Sequence, residues 1–254
     1  MIIDKTFRRG PLSINYVTNF EVPDDGKDLL IVFPAVNSLP GVCLASYFNY
    51  NKNPHYNVVH LIDNFGSYGS YYLKRWRSFD LFEMLVASIQ GLIEGAQRQG
   101  RRVIFAGTSK GASIALMCAG RFNGVECIAG EPQILLGDFL IGPEKFHSEA
   151  LAQIAHVILG RSEVSDRSLL NEKIMERILP CLPQWGSRVT CLVGSRTGYH
   201  RVHIAPLWRE IQKHDRARNN FSLLEFDLDH HNDIANVFIA HLTGLGIIYP
   251  ASAI

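Results

Sequence analysis

The sequence predicts an α/β fold, with a mostly parallel central sheet and helices on both faces. Three observations point there. Short runs rich in β-branched and aromatic residues alternate with longer segments of helical periodicity. The 254 residues are 47% hydrophobic and only 19% charged, enough apolar content to bury one full α/β core. The apolar run ending at Ala106 passes through Gly107-Thr108-Ser109-Lys110-Gly111 directly into the small-residue helical pattern 112–119, as a buried parallel strand does when it turns sharply into a helix packed on its sheet.

Taken in chain order, the expected strands are Ser13–Val17, Leu29–Phe33, Val58–Ile62, Val103–Ala106, Val125–Ala129, Val189–Val193 and Leu223–Leu228. The clearest helices fall between them at Leu81–Gln97, Lys110–Arg121, His203–Lys213 and Ile234–Leu242. In the first of these Leu81, Met84, Leu85, Ile89 and Ile93 form a stripe that faces a core. The stretch Gly142 to Trp185 has no convincing strand and reads as two helical segments, Glu149–Leu159 and Ser168–Leu179. An insertion at this place in a sheet of this kind commonly covers the end of the sheet, so a small helical cap is expected over 142–185 within a single domain of residues 1–254.

Composition excludes several classes. A formal charge of +1 and scattered basic residues argue against a nucleic-acid partner. The five cysteines have no paired or zinc-like spacing and most lie in apolar runs, as expected of reduced thiols in a cytoplasmic protein. No metal is expected. The first ten residues carry their charges after the apolar ones, unlike a signal peptide, and no run reaches the about 18 to 20 apolar residues that span a bilayer.

Gly107-Thr108-Ser109-Lys110-Gly111 has the Gly-x-Ser-x-Gly form of a nucleophile elbow, which points to an α/β-hydrolase fold. A serine on so sharp a turn has a strained backbone, and larger side chains two residues to either side would clash across it. The elbow lifts the Ser109 hydroxyl out at the end of the sheet and aims the Lys110 N–H at a developing oxyanion. The lysine precedes the glycine, so a P-loop reading fails.

A serine hydroxyl needs an imidazole within hydrogen-bond reach and usually a third group to fix its tautomer. The histidine belongs after the last strand, where Asp229-His230-His231-Asn232-Asp233 precedes the final helix. Residues alone leave His230 and His231 both open. The second oxyanion donor is expected after Leu29–Phe33; Pro34 has no N–H, so the donor is Ala35 or Val36. After Val189–Val193, where an aspartate is expected, the chain reads Gly194-Ser195-Arg196-Thr197-Gly198-Tyr199-His200 without a carboxylate. Three arrangements stay open: Glu131 reaching the imidazole from the loop after Val125–Ala129, a serine–histidine dyad, or a local group such as Asp233.

At these residues the chain resembles the serine-dependent O-acetyltransferases and esterases of bacterial capsule and surface-glycan loci, which are related to an accessory-secretion acetyltransferase. The resemblance rests on residues 62–72, Ile-Asp-Asn-Phe-Gly-Ser-Tyr-Gly-Ser-Tyr-Tyr, and on Gly107 to Ala112. It continues through Pro132-Gln133, residues 137–140, Gly198-Tyr199-His200 and His231-Asn232-Asp233, in the same order over most of the chain. It implies Ser109 as nucleophile and His231 as base, whereas the family's acid would fall at Arg196 or Thr197. It further implies an acyl-serine intermediate, acetyl-CoA as acetyl donor and a polysaccharide or oligosaccharide hydroxyl as acceptor. Phe65, Tyr68 and Tyr71 suit sugar stacking, and Lys74, Arg75 and Arg77 could meet CoA phosphates or an anionic glycan. A general carboxylesterase, or an impaired hydrolase-like scaffold binding glycan or protein, is the alternative.

Overall fold

The computed structural model describes residues 2–10, 12–23, 26–36, 40–42, 46–47, 53, 55–76, 79–142, 148–161 and 163–248, apart from the side chains of Arg75, Trp76 and Phe79. Its centre is an eight-stranded mixed sheet. The strands are β1 (Ile3–Arg9), β2 (Leu12–Thr18), β3 (Asp28–Val32), β4 (Tyr56–Ile62), β5 (Val103–Thr108), β6 (Glu126–Gly130), β7 (Arg188–Gly194) and β8 (Phe221–Phe226). They lie side by side in the order β1-β2-β4-β3-β5-β6-β7-β8. β1 runs antiparallel to β2, and β2 antiparallel to β4; from β4 to β8 every neighbouring pair is parallel.

All seven expected strands occur, with ends shifted by at most about two residues, whereas β1 was not anticipated. β1 is an edge strand whose residues are partly or fully exposed, with Asp4, Lys5, Arg8 and Arg9 among them, so it lacks the apolar run that marks a buried strand. The sheet is partly antiparallel at this edge: β1 pairs with β2, and β2 joins the sheet antiparallel to β4.

Alternate residues of the central strands feed two cores, as the two-residue period of a strand requires. On one face Leu29, Ile31 and Phe105 meet the helices α1 (Leu81–Arg98) and α2 (Lys110–Ala119), together with α5 (Arg167–Ile178) and α6 (Ala205–Ile211). On the other, Leu30, Val32, Ile104 and Ala106 meet Ile234, Phe238 and Leu242 of the helix α8 (Ile234–Gly244). Asp80 starts α1 by accepting from the N–H groups of Phe82 and Glu83 at 3.0 and 3.4 Å, satisfying donors that a helix start leaves without partners. Two short helices, α3 (Leu136–Leu140) and α7 (Asp215–Asn220), and the helix α4 (Glu149–Leu159) complete the set. The expected helix His203–Lys213 begins instead as a π-helical turn, His200–Ile204, that continues into α6.

Both helices of the segment expected as a cap pack on the main core. Leu170, Ile174 and Ile178 of α5 are buried in the main core, so this helix belongs to the layer covering the sheet. Ile154, Ala155 and Ile158 anchor α4 in the same core, and its Val157 lies against Gly66. Both segments are helices, as expected; helical periodicity carries no information about which surface a helix covers.

Parallel register brings the C-terminal ends of β5, β6, β7 and β8 to one rim. Thr108 pairs with Gly130, Gly130 with Leu192 and Gly194 with Phe226. One residue further on, Ser109 N–H donates to Gly130 O, Glu131 N–H to Leu192 O and Ser195 N–H to Phe226 O, each at 2.8 Å. The chain therefore leaves the sheet on adjacent strands at Ser109 and Glu131.

Candidate active site

Ser109 sits between β5 and α2 at φ +54° and ψ −120°, a backbone conformation that L-residues rarely adopt and that is held here by close packing. Its two flanking glycines are required. A Cβ on Gly107 would stand 2.5 Å from the Gly111 carbonyl carbon, and one on Gly111 would stand 2.4 Å from Phe33 O. The second contact shows that α2 begins directly against the chain leaving β3, so the elbow and the loop after β3 are locked together.

His231 lies in a single 3-10 turn, His231–Asp233, that leads into α8. Its Nε2 is 3.0 Å from Ser109 Oγ, and its Nδ1 hydrogen-bonds Glu131 Oε2. Glu131 has no exposed surface and stands at φ +45°. Its other oxygen, Oε1, accepts from Gly194 N–H at 2.9 Å and from Thr197 Oγ1 at 2.5 Å, so the buried carboxylate is hydrogen-bonded at both oxygens. The order of donors is consistent throughout: Ser109 O–H to His231 Nε2, and His231 Nδ1–H to Glu131. With Nδ1 so occupied, neither a dyad nor Asp233 is needed to account for the imidazole's orientation. His230 is exposed and outside the arrangement.

The positions where a carboxylate is missing contribute in other ways. Thr197 donates to Glu131, and Arg196 spans Asp229 through Nε and Nη2 at 2.7 and 3.2 Å and reaches Asp227 at 2.8 Å. These ion pairs are exposed and individually weak, yet they tie the β7 exit to the loop that carries His231.

Lys110 occupies the first position of α2, where a helical N–H has no acceptor within its own helix. Its side chain is fully buried, and Nζ pairs with the equally buried Asp63 at 3.2 Å and donates to Tyr68 O at 3.3 Å. Asp63 in turn accepts from the N–H groups of Ser70 and Tyr71 at 2.7 and 2.9 Å. Gly69 makes room for the pair, since a Cβ there would fall 2.3 Å from Lys110 Nζ. Ala35 N–H, an expected oxyanion donor, points instead at Ser46 Oγ at 2.8 Å; the neighbouring Val36 lines the cavity beside Ser109.

That cavity has a volume of about 330 Å³ and is walled by Ser109, His231, Val36, Tyr47, Phe139 and Gln133 among others. The aromatic loop requires a correction. Tyr71 has no exposed surface; its ring is in the core and its hydroxyl donates to Gln133 Oε1, which leaves it no face to offer a sugar. Phe65 packs edge-on against Tyr72 at 6.0 Å, and Tyr68 serves through its carbonyl. Among the described residues, neither Phe65 nor Tyr68 lines the cavity, and nor does any residue of 148–185. A glycine- and tyrosine-rich pattern marks a tight turn but cannot tell which ring faces inward. Arg77 and the side chain of Arg75 lie outside the described residues.

Two participants were not singled out as site residues. Tyr199 stacks flat on His231, with ring centroids 4.1 Å apart and planes 3° apart, and burial pushes its phenol well above the ordinary range. Gln133 is fully buried and donates from Nε2 to Ser109 Oγ at 2.6 Å. The only signal for either lay in the short patches 132–133 and 198–200 that carry the family resemblance. Elsewhere Cys118, Cys127, Cys181 and Cys191 are free and buried, with thiols pushed up by burial, while Cys43 lies outside the described residues. Among the described residues no helix is long and apolar enough to cross a membrane.

No family model and no curated protein matches the chain in sequence. Solved structures do match it in fold. The capsule O-acetyltransferase of Neisseria meningitidis serogroup A superposes with a TM-score of 0.70 at 16% identity, over 94% of this chain and 92% of that one. A mutant of that enzyme in complex with CoA gives 0.70 at 15% identity over 95% and 94%. The glycosylation-associate protein complex of Streptococcus agalactiae gives 0.72 at 16% identity, over 96% of this chain but 45% of that one. An esterase of Pyrococcus furiosus gives 0.60 at 13% identity over 97% and 89%. The mixed α/β architecture of this chain is therefore similar to that of acetyltransferases and esterases.

Proposed function

We propose that this protein is a serine-dependent acyltransferase or esterase of the α/β-hydrolase fold. The observation that carries the reading is the continuous chain Glu131–His231–Ser109, with Ser109 held at φ +54° beside an open cavity. In the proposed cycle His231 Nε2 takes the Ser109 proton while Oγ attacks the acyl carbon, and the Lys110 N–H meets the oxyanion. Collapse of the tetrahedral intermediate breaks the bond to the leaving group, which takes the proton back from His231. An acceptor hydroxyl then attacks the acyl-serine along the same route in reverse and frees Ser109. Buried Glu131 stabilises the imidazolium that forms in both halves.

The acetyl group and a bacterial capsular or surface polysaccharide as acceptor are the substrates favoured by the sequence resemblance, with acetyl-CoA as donor. The fold likeness to a capsule O-acetyltransferase supports this choice, and water as acceptor would make the same site an esterase. The free thiols favour a cytoplasmic setting. A helical cap over 142–185 stays part of the proposal, although among the described residues neither α4 nor α5 lines the cavity and both are anchored in the main core.

The test is direct. A fluorophosphonate probe should label Ser109, and incubation with acetyl-CoA should add one acetyl group to the protein, which capsule saccharides then remove as acetylated sugar. A protein that takes neither label at Ser109 is not a serine acyl carrier.

A further inference from the structure

The β3 exit loop, the usual source of a second oxyanion donor, has its Ala35 N–H turned to Ser46 Oγ at 2.8 Å. A different donor already touches the nucleophile. Gln133 Nε2 stands 2.6 Å from Ser109 Oγ, and His231 Nε2 stands 3.0 Å from the same atom. We propose that the Gln133 carboxamide is a catalytic residue, a side-chain donor of the oxyanion hole that complements Lys110 N–H. The proposal rests on the serine-acyl reading and names a group that reading does not require.

Four observations support it. First, the amide's orientation follows from the network: Ser109 gives its single O–H to His231 Nε2, so Oγ accepts from the Gln133 NH2 group while the Tyr71 hydroxyl donates to Gln133 Oε1. Burial holds the Tyr71 phenol far above its ordinary range, so it stays a donor at any working pH. Second, the amide is rigid. Gln133 N–H donates to Ser113 Oγ at 2.7 Å, and Ser113 Oγ lies 3.0 Å from Gln133 O, fixing the backbone to α2. Third, Gln133 is fully buried yet among the residues that wall the cavity beside Ser109, so its amide is held by protein contacts at the place where the acyl group would sit. Fourth, a primary amide carries two N–H groups; one meets Ser109 Oγ, and the other has only a 3.5 Å contact with Tyr199 Oη, longer than an ordinary hydrogen bond. A buried donor so poorly used is one for which a native structure needs a reason.

The chemistry supplies that reason. In the tetrahedral intermediate the oxyanion and Oγ are bonded to the same carbon, so the two N–H groups of one fixed amide can serve both oxygens. No proton leaves Gln133. It stabilises negative charge as it forms, while Ser109 gives its proton to His231 on the other side of Oγ. Fixed donors of this kind act with no reorganisation during the reaction.

The test compares wild type with Gln133→Met, which keeps the length but loses both donors, and with Tyr71→Phe, which keeps the amide but frees its orientation. Acylation of Ser109 is followed by stopped flow with 4-nitrophenyl acetate, and affinity for a boronic acid, which forms a tetrahedral serine adduct, is measured alongside. Gln133→Met should slow acylation by about 10²–10³-fold with KM little changed, and boronate affinity should fall with the rate constant. Tyr71→Phe should lower the rate constant by about tenfold, again without raising KM. A folded Gln133→Met protein that acylates within threefold of wild type overturns the proposal while leaving the serine mechanism standing. If that variant does not fold, an unchanged acylation rate in Tyr71→Phe overturns it equally. Wild-type protein that is not acylated at Ser109 removes both readings together.

Discussion

Glu131 and His231, 100 positions apart in the chain, meet carboxylate to imidazole at Nδ1, across the ends of β6 and β8. β7 lies between those two strands and supplies two of the donors, Gly194 N–H and Thr197 Oγ1, that hold the carboxylate in place. A Cβ on Gly194 would stand 2.9 Å from Glu131 Oε1, so a bare backbone at this position is what lets the longer side chain pass from one strand earlier.

Glu131→Gln keeps the shape and removes the charge that stabilises imidazolium. Acyl transfer should fall by up to about 10⁴-fold, with the fold intact by circular dichroism. Turnover within tenfold of wild type would show that Ser109 and His231 act as a dyad.

Removal of the Ser109 hydroxyl by Ser109→Ala should abolish fluorophosphonate labelling and transfer without loss of thermal stability. His231→Ala should be comparably damaging, whereas His230→Ala should stay within a fewfold of wild type, because His230 is exposed and outside the hydrogen-bond chain. The ranking of the two histidine variants in one labelling-rate assay decides the base.

Lys110→Met leaves the backbone N–H in place but strips Asp63 of its buried countercharge. Removing one partner of such a pair costs about 3–5 kcal/mol, so denaturant midpoints should drop clearly. Labelling per folded molecule should remain detectable, since the nucleophile and base are untouched. A variant as stable as wild type would mean the pair contributes nothing to holding residues 63–71.

His60, fully buried on β4, has a pKa lowered to about 4 by burial, against an ordinary 6.5. The unfolded chain therefore binds the additional proton between these values. The contribution is complete above about pH 6.5 and is lost as pH falls towards 4, by about 3 kcal/mol in all. Urea titrations across this range should show a shallower fall in His60→Gln than in wild type; parallel curves would rule the linkage out.

What could be read from the sequence follows from how each feature is encoded. Gly107 and Gly111 are steric requirements local to one turn, so five residues sufficed to place Ser109. Position after the last strand narrowed the base to His230 or His231, between which only the family resemblance chose, and the loop after β7, lacking a carboxylate, left Glu131 as one of three arrangements. Gln133 and Tyr199 had no such marks: an amide or a ring acquires its role only through partners far away in the chain. Tyr71 was misjudged for the same reason, as its inward orientation is set by Asp63 and Gln133. β1 lies outside the expected strands because an edge strand needs little apolar character; α5 was expected as a helix, but helical periodicity does not say against what a helix packs.

Glu131 and Gln133 leave one short turn two residues apart, the first reaching His231 and the second Ser109. The anion at one end of the proton path and the dipole at the other are thus mounted on a single piece of backbone, braced by Glu131 N–H on β7 and Gln133 N–H on α2. Any displacement of that piece shifts both together, so the relative alignment of base and nucleophile is buffered against motion of the surrounding loops. A substitution that reshapes residues 131–133 therefore disturbs the partner of the base and the partner of the nucleophile at once.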